Sequence, residues 1–407
     1  MTSKRLRLAL RRSAELANRG VLRVFGRPLN PDPLIRLVGL RLLLRRYYGA
    51  FVDAHGVSFA DVDETFGRMR SLKPASWAQA WRRPAEHYEA LGREAESNGR
   101  TVTAAELLMR ASTLYRIAEI ALLDDSPARK ELYRACVETF VMAGQLQHPA
   151  LQRVSIPVGN QAETVGYLSA PAGAARLPAV VIIPGLGMVK EHGDFPQEPL
   201  VARGVAALTL DLPGQGENRE RFPLTREWAE RLIVAAIDWL QTREEIDPER
   251  VGLLGTSMGA AAALFTAAQD RRVKAVVEIA GFYYPAPWWQ RFVADGIKEF
   301  LRYVVGAQDH AELFEVVQSA SLRGHVARIA CPILVVHGGE DEIVPANEAE
   351  LIYAEANEPK DKLIFAGGDH GCVNVSEARP LIADWLAQKL RAPHPEHNLC
   401  SPLLDCL

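Results

Sequence analysis

The sequence predicts an α/β protein: a mostly parallel central sheet covered by helices, preceded by an amino-terminal all-helical domain. Three observations carry this expectation. From about residue 33 to 147 apolar residues recur at helical spacing with no strand signal between them. At "HPALQRVSIPVGNQAETVGYLSAPAG" the period changes to two. Beyond it, short β-branched runs alternate with glycine-bearing loops and helical stretches to the end of the chain.

Taken in order, "LIRLVGLRLLLRRYYGAF" puts Leu37, Leu40, Leu44, Tyr47, Tyr48 and Phe51 on one helical face, and "TAAELLMRASTLYRIAEIALL" repeats the i, i+3, i+4 spacing. Trp77, Trp81 and Tyr115 fall at helical spacing and are expected in the core of this domain rather than against a ligand. Two short strands around the Gly159-Asn160 turn then open the second domain. Six apolar runs follow: "AVVIIPG", "AALTLDLPG", "VGLLGTS", "AVVEIAG", "ILVVHGG" and "KLIFAGG". Continuous apolar strands alternating with helices imply a parallel sheet buried on both faces, whose chemistry gathers at the carboxyl ends of the strands. The expected boundaries are a basic arm over 1–32, the helical domain over 33–150, the sheet domain over 151–391 and an irregular tail over 392–407.

Composition narrows the function classes. The 407 residues are 48% hydrophobic and 24% charged, ordinary for a globular protein. The net charge of -3 is unevenly spread, because the first fifty residues hold twelve Lys/Arg against Glu15 and Asp32. That head reads as a solvated arm lying on an acidic body. No aromatic interleaving suggests a nucleic-acid platform, and membrane contact by the basic head is the lesser reading. "LIRLVGLRLLLRR" is broken by Arg36 and Arg41, so no membrane span is expected. The Arg11-Arg12 pair lacks the apolar stretch of a secretory signal. Cys136, Cys331, Cys372, Cys400 and Cys406 are odd in number and scattered, as free thiols in a reducing cytoplasm would be.

The chemistry is carried by "VGLLGTSMGAAAALF", residues 251–265, where Gly255, Ser257 and Gly259 form Gly-x-Ser-x-Gly between an expected strand and an expected helix. A nucleophile on so sharp a turn sits in a strained conformation, and side chains at the flanking positions would collide with the turn. A serine hydroxyl needs a base and an orienting acid, in the chain order Ser, acid, His. "ILVVHGGEDEIVP" presents Asp341 after one strand, and "LIFAGGDHGCVN" presents His370 after the next. Glu340, Glu342 and Asp369 compete for the acid role. His-Gly-x-x-Asp-x-x-Val-Pro favours Asp341, with Pro345 ahead of the next helix. An oxyanion hole needs two backbone N–H donors. Met258 supplies one, and the loop "VIIPGLGMVKEH" supplies the other at Leu186, with Gly187 as the near rival. Lys190, Glu191 and His192 adjoin this loop, where solvated loop charge explains them as well as a role does. Neither a dinucleotide fingerprint nor a phosphate loop is present, so nucleotide binding is not expected.

Together "DLPGQGEN" (211–218), "GLGMVKEH", "GTSMGA", "HGGEDEIVP" and "GDHGCVN...RPLIADWL" resemble the α/β-hydrolase family that includes 2,6-dihydroxypseudooxynicotine hydrolase, the fermentation-respiration switch proteins and fungal polyketide-shortening hydrolases. The likeness covers about residues 65 to 390, and "SWAQAWRRPAEHYEALGREAESNGRTVTAAELLMRASTLYRIAE" resembles that family's helical cap. Asp211 with Pro213-Gly214-Gln215-Gly216 is the most specific local match. The oxyanion loop departs from the family pattern, reading Pro-Gly-Leu-Gly in place of Gly-Gly-Leu-Asp. The resemblance implies an α/β-hydrolase fold with an amino-terminal cap and serine-dependent hydrolysis of an ester or of a carbon–carbon bond between two carbonyls. The alternatives within the fold are a non-catalytic regulatory or scaffold protein, and a lyase or perhydrolase using the same triad.

Between the sixth and seventh strands, Phe282, Tyr283, Tyr284, Trp288 and Trp289 either line an aromatic substrate pocket or glue the cap to the sheet domain. The expected partners are a bulky aromatic or polyketide-like small molecule and a second copy of the chain, as a homodimer. No cofactor is expected. His394, His397, Cys400 and Cys406 match no standard metal spacing, so no metal is expected either.

Overall fold

The computed structural model of the chain describes residues 56–391, apart from 70, 72, 161, 174, 175, 194 and 294. The basic arm, the face from Leu37 to Phe51 and the tail holding His394, His397, Cys400 and Cys406 lie outside the described residues.

Four helices come first. α1 (Phe59–Arg68) begins at a capping box in which Ser58 Oγ accepts from Asp61 N while Asp61 Oδ2 accepts from Ser58 N. α2 (Pro74–Ser97) and α4 (Pro127–Leu146) each start on a proline, whose missing N–H costs nothing at a helix start. α3 (Thr101–Glu119) packs between them and is buried along most of its length. Trp77, Trp81 and Tyr115 are core residues here, as expected, and Trp77 Nε1 donates to Ile117 O at 2.8 Å.

The sheet domain has eight strands: β1 (Gln152–Val158), β2 (Ala162–Ser169), β3 (Leu177–Ile183), β4 (Ala206–Leu210), β5 (Ile246–Thr256), β6 (Val273–Ile279), β7 (Ile333–Gly338) and β8 (Lys360–Phe365). Their order is β1-β2-β4-β3-β5-β6-β7-β8. β1, β2 and β4 pair antiparallel, and every other pair is parallel. The mostly parallel sheet and each of the six apolar runs are found where the sequence places them.

Because side chains alternate along a strand, an apolar run feeds two cores at once. Ala179, Val181, Ile183 and Leu253 pack with α5 (Arg226–Gln241) and α6 (Met258–Ala267) on one face. Val180, Ile182 and Leu254 pack on the other against Trp385 and Leu386 of the carboxyl-terminal helix, residues 378–389. Between β6 and β7 an insertion folds as α7 (Ala286–Phe292), α8 (Asp295–Val305) and α9 (His310–Ser319) around its own small core. α10 (Asn347–Glu355) joins β7 to β8, and α11 (Ala378–Lys389) closes the domain. Among the described residues no helix is long and apolar enough to cross a membrane.

Candidate active site

Ser257 lies at the junction of β5 and α6 with φ 54° and ψ -114°, a conformation an L-residue rarely adopts. Its N–H donates to Ile279 O at 2.8 Å and its carbonyl accepts from Ala261 N at 3.2 Å, so the turn is tied to β6 and to its own helix. Both flanking glycines are required by space. A Cβ on Gly255 would come 2.2 Å from Gly259 O, and one on Gly259 would come 2.2 Å from Ile183 O and 2.6 Å from Pro184 O. The elbow therefore rests directly on the end of β3, where the oxyanion loop begins. Of the four non-glycine residues with positive φ among the described residues, Ser257, Ala280 and Cys372 follow the ends of β5, β6 and β8. Strain of this kind collects at functional sites.

Asp341 and His370, 29 residues apart in sequence, meet: His370 Nδ1 stands 2.8 Å from Asp341 Oδ2. The other carboxylate oxygen, Oδ1, accepts from Ile343 N at 2.7 Å and Val344 N at 2.8 Å. Burial alone would push this acid up, but the His370 imidazole and the two amides outweigh it and hold Asp341 below its ordinary range. Glu340 and Glu342 are exposed, and Asp369 turns its Oδ1 to the amides of Val373 and Asn374. Geometry thus singles out Asp341 from its neighbours. His370 also lies beside the serine turn, since a Cβ on the next residue, Gly371, would stand 3.6 Å from Thr256 Cγ2. His337, fully buried at the head of the same loop, places Nε2 3.4 Å from Asp341 Oδ2 and 3.2 Å from Val344 O. Its burial depresses its pKa, although Asp341 and the Val344 carbonyl oppose the shift.

Gly185 to Met188 form a turn closed by Met188 N donating to Gly185 O at 3.2 Å. Gly187 takes φ 81°, which this turn asks of its third residue. The Gly187 N–H donates to Gln215 Oε1, so the amide of the near rival is already in use. Leu186 and Met258 pack against one cluster, that of the β6–β7 insertion. Downstream, Lys190, Glu191 and His192 are buried rather than solvated. Lys190 Nζ stands 2.8 Å from Asp211 Oδ2, 2.9 Å from Glu191 Oε1 and 2.8 Å from Glu217 Oε2, and Lys190 N donates to Asp211 Oδ1 at 2.7 Å. Asp211, the first residue of "DLPGQGEN", therefore anchors the loop that follows β3. Burial lifts its pKa to about 6 although Lys190 opposes the shift.

The five aromatic residues do not share one environment. Phe282 joins the main core of the sheet domain. The Tyr283 hydroxyl donates to Glu355, and Tyr284 lies under the Arg323 guanidinium at 5.0 Å. Trp289 belongs to the insertion's cluster with Leu186, Met258 and Phe300, and Trp288 packs against both that cluster and the main core. Glu348, which the sequence reading missed, accepts from the amides of both tyrosines at 2.8 Å and holds this segment. A depression of about 470 Å³ lined by Ala268, Arg271, Ala330 and Asn357 lies at the amino ends of the strands, away from Ser257.

Glu278 is a second residue missed, although a charge inside "AVVEIAG" is a signal. It pairs with Gly255 across β5 and β6 and is fully buried; Oε2 accepts from Gly281 N at 2.8 Å and Oε1 has no hydrogen-bond partner. Burial pushes its pKa to about 8. The folded chain thus keeps a proton that the unfolded chain gives up above its ordinary value of 4.5, and stability falls as pH rises from there to about 8. Glu278→Gln, which supplies an N–H where the proton sits, should flatten this slope. Urea midpoints at pH 5 and pH 8 check it: the variant should gain on the wild type at the higher pH, and parallel profiles would show Glu278 to be ionised throughout.

The family described as "Alpha/beta hydrolase family" matches residues 180–385. The chain is 30% identical over 341 residues to 2,6-dihydropseudooxynicotine hydrolase of Paenarthrobacter nicotinovorans, covering 83% of this chain and 90% of that protein. It is 26% identical over 334 residues to the 20-hydroxy-prefusarin hydrolase FUS2 of Gibberella moniliformis, covering 70% and 78%. Among solved structures, the 2,6-dihydroxy-pseudo-oxynicotine hydrolase superposes with a TM-score of 0.75 at 29% identity, over 84% of this chain and 95% of that one.

Proposed function

Because the chain belongs to the α/β-hydrolase family and is a hydrolase of that family, we propose that it cleaves an acyl bond of a bulky apolar small molecule through an acyl-enzyme on Ser257. Ser257 Oγ attacks the substrate carbonyl carbon while His370 Nε2 takes the hydroxyl proton, and Asp341 holds the imidazole from Nδ1. The oxyanion receives the N–H groups of Met258 and Leu186. Collapse expels the leaving group: an alkoxide from an ester, or an enolate from a 1,3-dicarbonyl that the His370 imidazolium protonates on carbon. Water, activated by His370, then frees the acid and regenerates Ser257.

One observation carries this reading. The Asp341–His370 hydrogen bond of 2.8 Å, with the second carboxylate oxygen locked by two amides, adjoins a serine held at φ 54°. A scaffold protein has no use for that combination. Trp288 and Phe300 beside Leu186 and Met258 support a bulky apolar substrate. The two relatives named above are, by name, hydrolases of small organic molecules.

A fluorophosphonate probe should add one adduct mass, located on the peptide that contains Ser257. Aryl esters and β-diketones, screened with product identification by mass spectrometry, then separate the two leaving groups. A protein that takes no label and turns over neither class would be a non-catalytic member of the fold.

A further inference from the structure

We infer that Arg116, in the helical cap, is a positioning residue for the hydrolytic site: its guanidinium fixes the Gly187 carbonyl and with it the turn that offers the Leu186 N–H to the oxyanion. The inference rests on the function proposed above and adds the cap to its machinery.

Arg116 lies on α3 and is only 4% exposed. A guanidinium so buried must be paired in full or it destabilises the fold. Its Nη1 donates to Glu119 Oε2 and its Nη2 donates to Gly187 O. The second contact crosses from the cap to the sheet domain and ends on the Gly187 carbonyl, one residue beyond Leu186, the proposed oxyanion donor. Gln215 accepts from the Gly187 N–H, so both peptide planes of Gly187 are gripped, one from each domain. Met188, the last residue of the turn, packs into the core of the cap. The turn closed by Met188 N and Gly185 O does not consume the Leu186 N–H, and these three anchors set its direction.

Arg116 is itself held. Glu119 is fully buried and ion-paired through Oε1 to Arg129, which stands 3.8 Å from Asp125. Asp125 Oδ1 accepts from Tyr303 of α8 at 2.9 Å and from Arg219 Nε at 2.8 Å, and Arg219 lies 3.9 Å over the Tyr303 ring. A continuous polar chain therefore runs from the β6–β7 insertion through the cap to the oxyanion turn. Phe300, three residues before Tyr303, sits on the same turn: a Cβ on Gly187 would come 3.0 Å from its ring.

The prediction is a loss in kcat rather than in substrate binding, because a tilted oxyanion donor costs the transition state and not the ground state. Arg116→Lys keeps a charge for Glu119 but loses the fork that reaches both partners. Arg116→Met combined with Glu119→Gln removes both charges, and Arg129, which loses its pair with Glu119, keeps the one with Asp125. In each, kcat should fall about 10²-fold with KM within about twofold of wild type. Affinity for an aryl trifluoromethyl ketone, whose hemiketal oxyanion occupies the hole, should weaken by a similar factor. Rates are expressed per Ser257 labelled at completion by the fluorophosphonate, which removes unfolded chains from the count. A wild type that takes no label fails the function proposed above. A labelled wild type whose Arg116 variants keep kcat and ketone affinity, or change KM alone, overturns only the role of Arg116. So would a set of variants with no labelled fraction, since Arg116 would then serve the fold.

Discussion

Replacing Ser257 by glycine is expected to lower kcat/KM by about 10⁴- to 10⁶-fold while raising the stability of the fold. The activity loss follows from removing the hydroxyl proposed to attack the carbonyl. The stability gain follows from the backbone. At φ 54° and ψ -114° the Cβ of residue 257 is crowded, and strain of this kind costs about 1–3 kcal/mol. Glycine removes the Cβ, offset by about 0.5–1 kcal/mol from the greater freedom of the unfolded chain. Ser257→Ala separates the two effects, since it loses the hydroxyl but keeps the Cβ. Both variants should be inactive, and only the glycine variant should move its denaturation midpoint clearly above that of the alanine variant. An alanine variant that turns over the best substrate at the wild-type rate would remove the nucleophile and the mechanism together.

Asp341→Asn is expected to keep the fold and lower kcat by about 10⁴-fold at neutral pH. The hydrogen bonds of this carboxylate all come from donors, two amides on Oδ1 and His370 Nδ1 on Oδ2, with His337 Nε2 a further 3.4 Å neighbour of Oδ2. Asparagine has only one oxygen to offer. The amides of Ile343 and Val344 cannot become acceptors, so that oxygen stays with them and the new NH₂ group faces His370. The imidazole then presents its Nδ1 lone pair to the NH₂ and carries its proton on Nε2, the atom that must accept the serine proton. Steady-state kinetics with an unfolding curve on the same sample check this. Wild-type kcat in a folded asparagine variant would show that Asp341 neither orients nor charges His370.

Much of the fold was legible because its signals are local. A run such as Val180-Val181-Ile182-Ile183 ahead of a glycine loop needs no distant information to be read as a buried strand, and "VGLLGTSMG" carries its strand, its turn and its helix in nine residues. Asp341 and His370 were legible as candidates for the same reason: each ends an apolar strand. Among four neighbouring acids the loop pattern favoured Asp341, but the residue string did not show what would hold that acid against the imidazole. That hold turns on the amides of Ile343 and Val344, which exist as donors only once the loop is folded. Phe282, Tyr283 and Tyr284 read equally as pocket lining or as glue between cap and sheet domain, and only the fold shows their contacts, which run to the sheet core, Glu355 and Arg323.

The amino-acid sequence by itself determined the order of strands and helices, the elbow at Ser257 and the set of side chains able to assist it, because spacing and residue type act over a few residues. Tertiary structure alone decided the burial of Lys190 among three carboxylates, the burial of Glu278 beside the elbow, and the reach of Arg116 from the cap to the Gly187 carbonyl. A charge has its meaning set by what surrounds it. In water Arg116 and Lys190 would be ordinary solvated cations; enclosed by low-dielectric core, each must find its counter-charges, and those lie on strands and helices remote in the chain.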